Sequence, residues 1–218
     1  MTTLELDPLH KPRLRGWIHA ITAPVAVIAT IVLIVFAPTF GTRVACGVYA
    51  ITGILLFTVS AFYHRGRWSE RARLLLKRLD HTNIMLVIAG SYTPLSWTLL
   101  PRREAVILLS LVWGGALLGV VFRLAWLHAP RWLYTPVYIA LGLAAFLFMP
   151  QFFAASVACS VLILAGGAFY IAGAVFYAAK RPNINIEWFG FHELFHAFTV
   201  AGFVCHFIAI MIAVVTRG

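Results

Sequence analysis

Charge is scarce in this 218-residue sequence, and negative charge is scarcest: 11% of the residues are charged and only seven are acidic. Soluble domains carry about a quarter charged residues, so the shortage excludes an ordinary water-soluble fold, a disordered acidic tail and a coiled coil. Cysteine is thin as well. Cys46, Cys159 and Cys205 stand apart inside apolar runs, with no CxxC spacing, which leaves no disulfide framework and reads as buried small side chains. Repeats, linkers and low-complexity stretches are missing, and so is the period-2 alternation of membrane strands. The net charge of +10 sits in short basic clusters between apolar runs. That distribution is not a nucleic-acid footprint, and no nucleic-acid partner is expected.

What the sequence has instead is apolar length. Hydrophobic residues make up 62% of it and the mean hydropathy is +0.92. A helix needs about 20 apolar residues to cross a bilayer, and seven such runs are present: 17–38, 44–64, 80–100, 105–123, 132–150, 154–179 and 188–215. The expected fold is all-α and integral to the membrane, a seven-transmembrane helix bundle, with residues 1–16 as a tail and 17–218 as one domain. The first run exceeds the ~7–15 apolar residues of a signal peptide and is read as a retained helix. Lysine and arginine set the orientation. With the N-terminus cytoplasmic and the C-terminus outside, 13 of the 17 basic residues face in and four face out. A multi-pass protein of the inner (plasma) membrane is therefore expected. Arg65 to Leu79 is read as a basic segment, either a solvated loop or a short amphipathic helix in the headgroup plane.

Ionisable side chains are costly inside a bilayer, so those in a span are candidates for function. Only two acids qualify, Asp80 and Glu193. His192 and His196 stand at i and i+4, so both imidazoles leave one helical face a turn apart, which suits two ligands of one metal ion. His192-Glu193-Leu194-Phe195-His196 also matches the HExxH pattern, in which the acid is a general base. Glu193, however, lies roughly 80° from the midline of the two histidines, and a salt bridge or a pore-lining role is as good a reading. A third ligand must come from another helix, because His206 is ten residues and about 15 Å further along. The expected topology supplies His64, which ends span two at the face where Asp80 opens span three and His192 and His196 open span seven. Ser60 is one turn deeper than His64 on the same face. Three imidazoles with one open position form a catalytic zinc arrangement, in which a water on the ion ionises near neutral pH and an unligated carboxylate takes its proton. Asp80 suits that role, with Ser60 bonding to the water, to Asp80 or to a substrate carbonyl. Asp80 reads alternatively as the cap of span three or the partner of Lys77 or Arg78, and Ser60 as a packing residue. His19 and His81 lie near the same face as possible supporting groups, His206 is read as structural, and His10 and His128 fall in the tail and a loop. Pro94 is expected to kink span three. Gly114, Gly115, Gly119, Gly166, Gly167 and Gly173 are expected to admit neighbouring helices closely.

Ser60-Ala61-Phe62-Tyr63-His64, Leu79-Asp80-His81, Ala89-Gly90-Ser91-Tyr92-Thr93-Pro94 and Phe189-Gly190-Phe191-His192-Glu193-Leu194-Phe195-His196 together resemble the hemolysin III family. That family belongs with the progestin and adiponectin receptors and, more remotely, the alkaline ceramidases. The resemblance extends over all seven spans. It implies a seven-helix bundle with a cytoplasmic N-terminus and a zinc ion on His64, His192 and His196, with Asp80 meeting the zinc-bound water. For eukaryotic relatives it implies ceramide hydrolysis, and for bacterial ones a cytolytic label and membrane lipid homeostasis. The long N-terminal extension of the adiponectin receptors has no counterpart here, so a compact bacterial member fits better. The reading is therefore a zinc-dependent hydrolase, or former hydrolase, of a membrane lipid amide or ester, its partner an inner-leaflet lipid such as a ceramide or fatty acid. A zinc-stabilised receptor or lipid sensor and a pore-forming hemolysin are the alternatives.

Overall fold

A computed structural model describes residues 12–126, 131–185 and 187–217. Most of the expected tail, with His10 and Lys11, and the loop residue His128 lie outside the described residues. The chain forms α1 (Trp17–Phe36), α2 (Phe40–Arg65), α3 (Glu70–Leu99), α4 (Arg102–Ala125), α5 (Arg131–Gly142), a 3₁₀ stretch (Leu143–Phe148), α6 (Met149–Ala155), α7 (Val157–Ala179) and α8 (Phe191–Arg217). No strand occurs among the described residues; Asn185 and Phe189 make one isolated bridge. Three helices start on a hydroxyl that satisfies an otherwise unpaired backbone amide. Thr39 accepts from Thr42, Ser69 from Ala72 and Ser156 from Cys159.

The surface inverts the pattern of a soluble protein. Ile21, Val35 and Leu118 point outward at 64%, 70% and 73% exposure, whereas His19, Ser60, Asn83, Glu193 and His196 are buried. Water on the outside would favour the opposite arrangement; lipid on the outside explains it. Among the described residues six stretches are long and apolar enough to cross a membrane: Trp17–Phe36, Phe40–Arg65, Arg102–Ala125, Thr135–Ala155, Val157–Ala179 and Phe191–Arg217. The architecture is an integral membrane helical bundle. α3 differs from these six because its first turns carry the charged run from Glu70 to Asp80. Within the basic segment only residues 66–69 form a loop, and there is no separate flat helix. From Glu70 the segment is continuous with the helix that carries Asp80, since Ser69 caps it there and no breaker intervenes.

α1 to α4 pack in chain order, α7 pairs with α8, and α8 also meets α1 and α3. That places one face of α8 at the centre of the bundle. Tyr49 of α2 stacks on Phe203 of α8, with ring centroids 4.8 Å apart, and donates to the Phe203 carbonyl at 3.0 Å. α3 continues through Pro94 to Leu99. Of the glycines expected at close contacts, Gly115, Gly119, Gly166 and Gly173 do lie against neighbouring helices, while Gly114 and Gly167 face open space.

The fifth apolar run is not one α-helix. It tightens into the 3₁₀ stretch after Gly142, and the change leaves backbone groups to be satisfied without water. Tyr92 of α3 does this from the side. Its hydroxyl donates to the Gly142 carbonyl at 2.6 Å and accepts from the Ala145 amide at 2.8 Å.

Candidate metal centre

His64 occupies the last turn of α2, and His192 and His196 the first two turns of α8. One ring nitrogen from each of these three residues can be chosen so that all lie within 4.8 Å of one another, and Nε2 of His64 is 3.1 Å from Nε2 of His192. Three nitrogens on one tetrahedral ion at about 2.0–2.1 Å would stand about 3.4 Å apart. The set therefore fits a single ion with small rotations of the rings. Imidazole suits zinc, copper, iron or nickel, so the donor set admits zinc without selecting it.

Asp80 lies ten residues inside α3, whose cap is Ser69. The helix-cap reading of Asp80 is therefore replaced by a carboxylate turned into the bundle. Its Oδ2 is 3.8 Å from Nε2 of His64, and the buried Ser60 side chain faces it. Ser60, His64, Asp80, His192 and His196 thus converge at one end of the molecule, from three helices.

Glu193 serves α8 instead of the histidines. It is 1% exposed, pairs with the guanidinium of Arg15 and accepts the Gly190 amide at 2.9 Å, which caps the start of α8. The general base of the HExxH pattern is therefore committed elsewhere. His19 of α1 stacks flat on His196, with centroids 3.8 Å apart and planes within 1°, and so restricts that ring. His81 bonds through Nδ1 to the Lys77 carbonyl of its own helix at 2.6 Å.

Residues 12–16 were expected to belong to a tail. They are instead pinned across the site. The Arg13 amide donates to the Glu187 carbonyl at 2.8 Å and the Leu14 amide to that of Trp188 at 3.3 Å. Arg65 lies over the Trp17 ring at 3.5 Å. Gly16 turns the strap into α1 with a φ of 79°, and a Cβ there would come within 2.8 Å of the His64 Cβ. No local pattern marks Arg15 as the partner of Glu193; an unpaired acid in a span was the only available signal.

From the histidines a cavity of about 230 Å³ runs between α3, α5, α7 and α8. Asp80, His192 and His196 line one end, and Tyr92, Leu95 and His206 line it further in. The fourteen residues from His192 to His206 span about 21 Å of helix. Most of the wall is aliphatic and aromatic, so the cavity suits an extended apolar chain whose polar head meets the histidines.

Comparison with known proteins agrees with the motifs. The family model described as "Haemolysin-III related" matches residues 8–207. A "Hemolysin-3 homolog" of Bacillus subtilis (strain 168) is 28% identical over 197 residues, covering 88% of this chain and 89% of the relative. "Hemolysin-3" of Bacillus cereus is 29% identical over 197 residues, covering 88% and 87%.

Proposed function

The chain belongs to the haemolysin III-related family, and from that premise we propose that it is a zinc-dependent hydrolase of membrane lipid amides, ceramide-like in substrate. The observation that carries the reading is the meeting of three imidazoles with an inward carboxylate at the mouth of an apolar cavity. We place it as a seven-span protein of the bacterial inner membrane, α3 being one of the seven. The 13-to-4 charge bias supports an N-terminus and a histidine cluster on the cytoplasmic side.

In this reading His64, His192 and His196 hold the ion, His19 keeps the His196 ring in place, and Glu193 anchors the first turn of α8 through Arg15. A zinc ion held there supplies Lewis acidity toward a water and a carbonyl oxygen. Asp80 accepts the proton of the attacking water on its carboxylate and returns it to the leaving amine nitrogen. Ser60, one turn deeper than His64 on α2, orients the carboxylate. The aliphatic wall of the cavity holds the acyl chain and keeps bulk water from it.

A second reading has one observation in its favour. At 3.8 Å from His64 Nε2, Asp80 is close enough to become a fourth ligand, which would close the site and make the protein a metal-stabilised receptor or sensor. The lytic name of the Bacillus relatives points to a pore, but the apolar wall of the cavity offers ions no polar path. Purified protein in lipid nanodiscs decides among these readings. The hydrolase reading expects one zinc per chain and release of fatty acid from an N-acyl sphingoid base. Zinc without hydrolysis of any lipid amide supports the sensor, and absence of bound metal overturns both.

A further inference from the structure

The first turns of α3 carry charge that the metal centre does not use. Arg71, Leu74, Leu75 and Arg78 fall at i, i+3, i+4 and i+7, so they form one stripe along the helix. Asp80 is nine residues beyond Arg71, a rotation of about 180°. The stripe therefore lies opposite the carboxylate that turns into the bundle. Its exposure agrees: both arginines are exposed, and Leu74 and Leu75 are 37% and 57% exposed. Arg67 and Trp68, just before the Ser69 cap, are exposed as well, and the Trp68 indole donates to the Phe62 carbonyl at the end of α2.

Most other arginines at this end already have protein partners. Arg13 lies over Trp188, Arg65 over Trp17, and Arg15 pairs with Glu193. Among the described residues no carboxylate pairs with Arg67, Arg71 or Arg78, and Glu70 is the only acid between Arg65 and Leu79. The stripe thus combines uncompensated positive charge with outward leucines, the pattern of a helix face at a membrane interface.

That pattern selects an occupant. The leucines meet acyl chains, and the long arginine stems let the guanidinium groups reach from the same depth to the headgroups. Arg71 and Arg78 are about 10.5 Å apart along the axis, so their side chains can bracket one headgroup. A zwitterionic headgroup brings its own ammonium into this cluster, whereas one of net negative charge does not. We propose that this stripe of α3 is a docking surface for an anionic phospholipid, its phosphate held between Arg71 and Arg78 and its chains lying along Leu75 and Leu79. Because α3 is continuous from Glu70 to Leu99, a lipid held there braces the helix that carries Asp80.

The test is native mass spectrometry of the full chain released from nanodiscs of equimolar phosphatidylglycerol and phosphatidylcholine. A basic residue at an anionic membrane surface contributes about a fivefold factor, so the retained lipid should be phosphatidylglycerol by at least that margin. The double variant Arg71→Gln, Arg78→Gln should lower the preference at least about fivefold, whereas Arg71→Lys, Arg78→Lys should keep it. Lys180→Gln, Arg181→Gln removes the same charge from exposed residues between α7 and α8 and should also keep it. Equal retention of the two lipids by the unaltered chain overturns the proposal. So does a preference kept or lost in both Arg71/Arg78 variants, and so does an equal fall in the two glutamine variants, which would make the preference one of net charge.

Discussion

Replacing Asp80 by Asn separates an enzyme from a closed metal site. The substitution keeps the shape of the side chain and its contact with Ser60, and removes the basic oxygen 3.8 Å from His64 Nε2. Positioned general bases contribute about 10²–10⁴ in rate, which at about 1.4 kcal/mol per factor of ten is roughly 3–5.5 kcal/mol of barrier. If the three histidines alone hold the ion, metal stoichiometry should be unchanged while hydrolysis falls by at least about a hundredfold. The assay is paired: zinc per chain by elemental analysis, and fatty acid released from an N-acyl sphingoid base in the same preparation. Zinc lost along with activity would show that Asp80 is a ligand. Full zinc with full activity would refute the mechanism and leave Asp80 a structural residue facing Ser60.

His64→Ala, His192→Ala and His196→Ala should each lower zinc content severely, whereas His206→Ala should retain it; equal retention in all four, read by elemental analysis, rejects the centre. Gly16→Ala should cost about 1–2 kcal/mol for the left-handed backbone alone and more for the 2.8 Å approach to the His64 Cβ, and an unchanged melting temperature in detergent would contradict this. Tyr92→Phe leaves the Gly142 carbonyl and the Ala145 amide unmet, so unfolding should become easier by about 1–3 kcal/mol per group; a loss under about 0.5 kcal/mol would show that the 3₁₀ stretch does not depend on it. Reporter fusions should place the N-terminus inside and the C-terminus outside, and both termini on one side would remove the seven-span topology.

How much of the site could be read in the sequence depended on the range of the interactions involved. His192 and His196 were legible because i and i+4 share a face on any α-helix. His64 was legible one step further, because alternating spans bring its helix end to the depth of theirs. Asp80 was legible as an inward acid, but its place ten residues into α3 was not, since a basic run from Arg65 to Leu79 reads equally as loop or helix until Ser69 is seen to cap it. Glu193 looked like the general base of an HExxH pattern because that pattern is local, and its pairing with Arg15 is not.

Composition and hydropathy by themselves determined that the chain is a helical membrane protein, since burial in lipid is decided residue by residue along each run. Only the tertiary structure decided how the interior is furnished. The Arg15–Glu193 pair joins residues 178 apart and the His64–His192 contact residues 128 apart. The break after Gly142 is held by a tyrosine from another helix, and Tyr170 and His206 share one wall because α7 and α8 pack along their lengths. Each depends on which helix faces which, and local hydropathy carries no information about that choice: with lipid on one side and apolar side chains on the other, it is close packing and the few buried polar groups that select the neighbours.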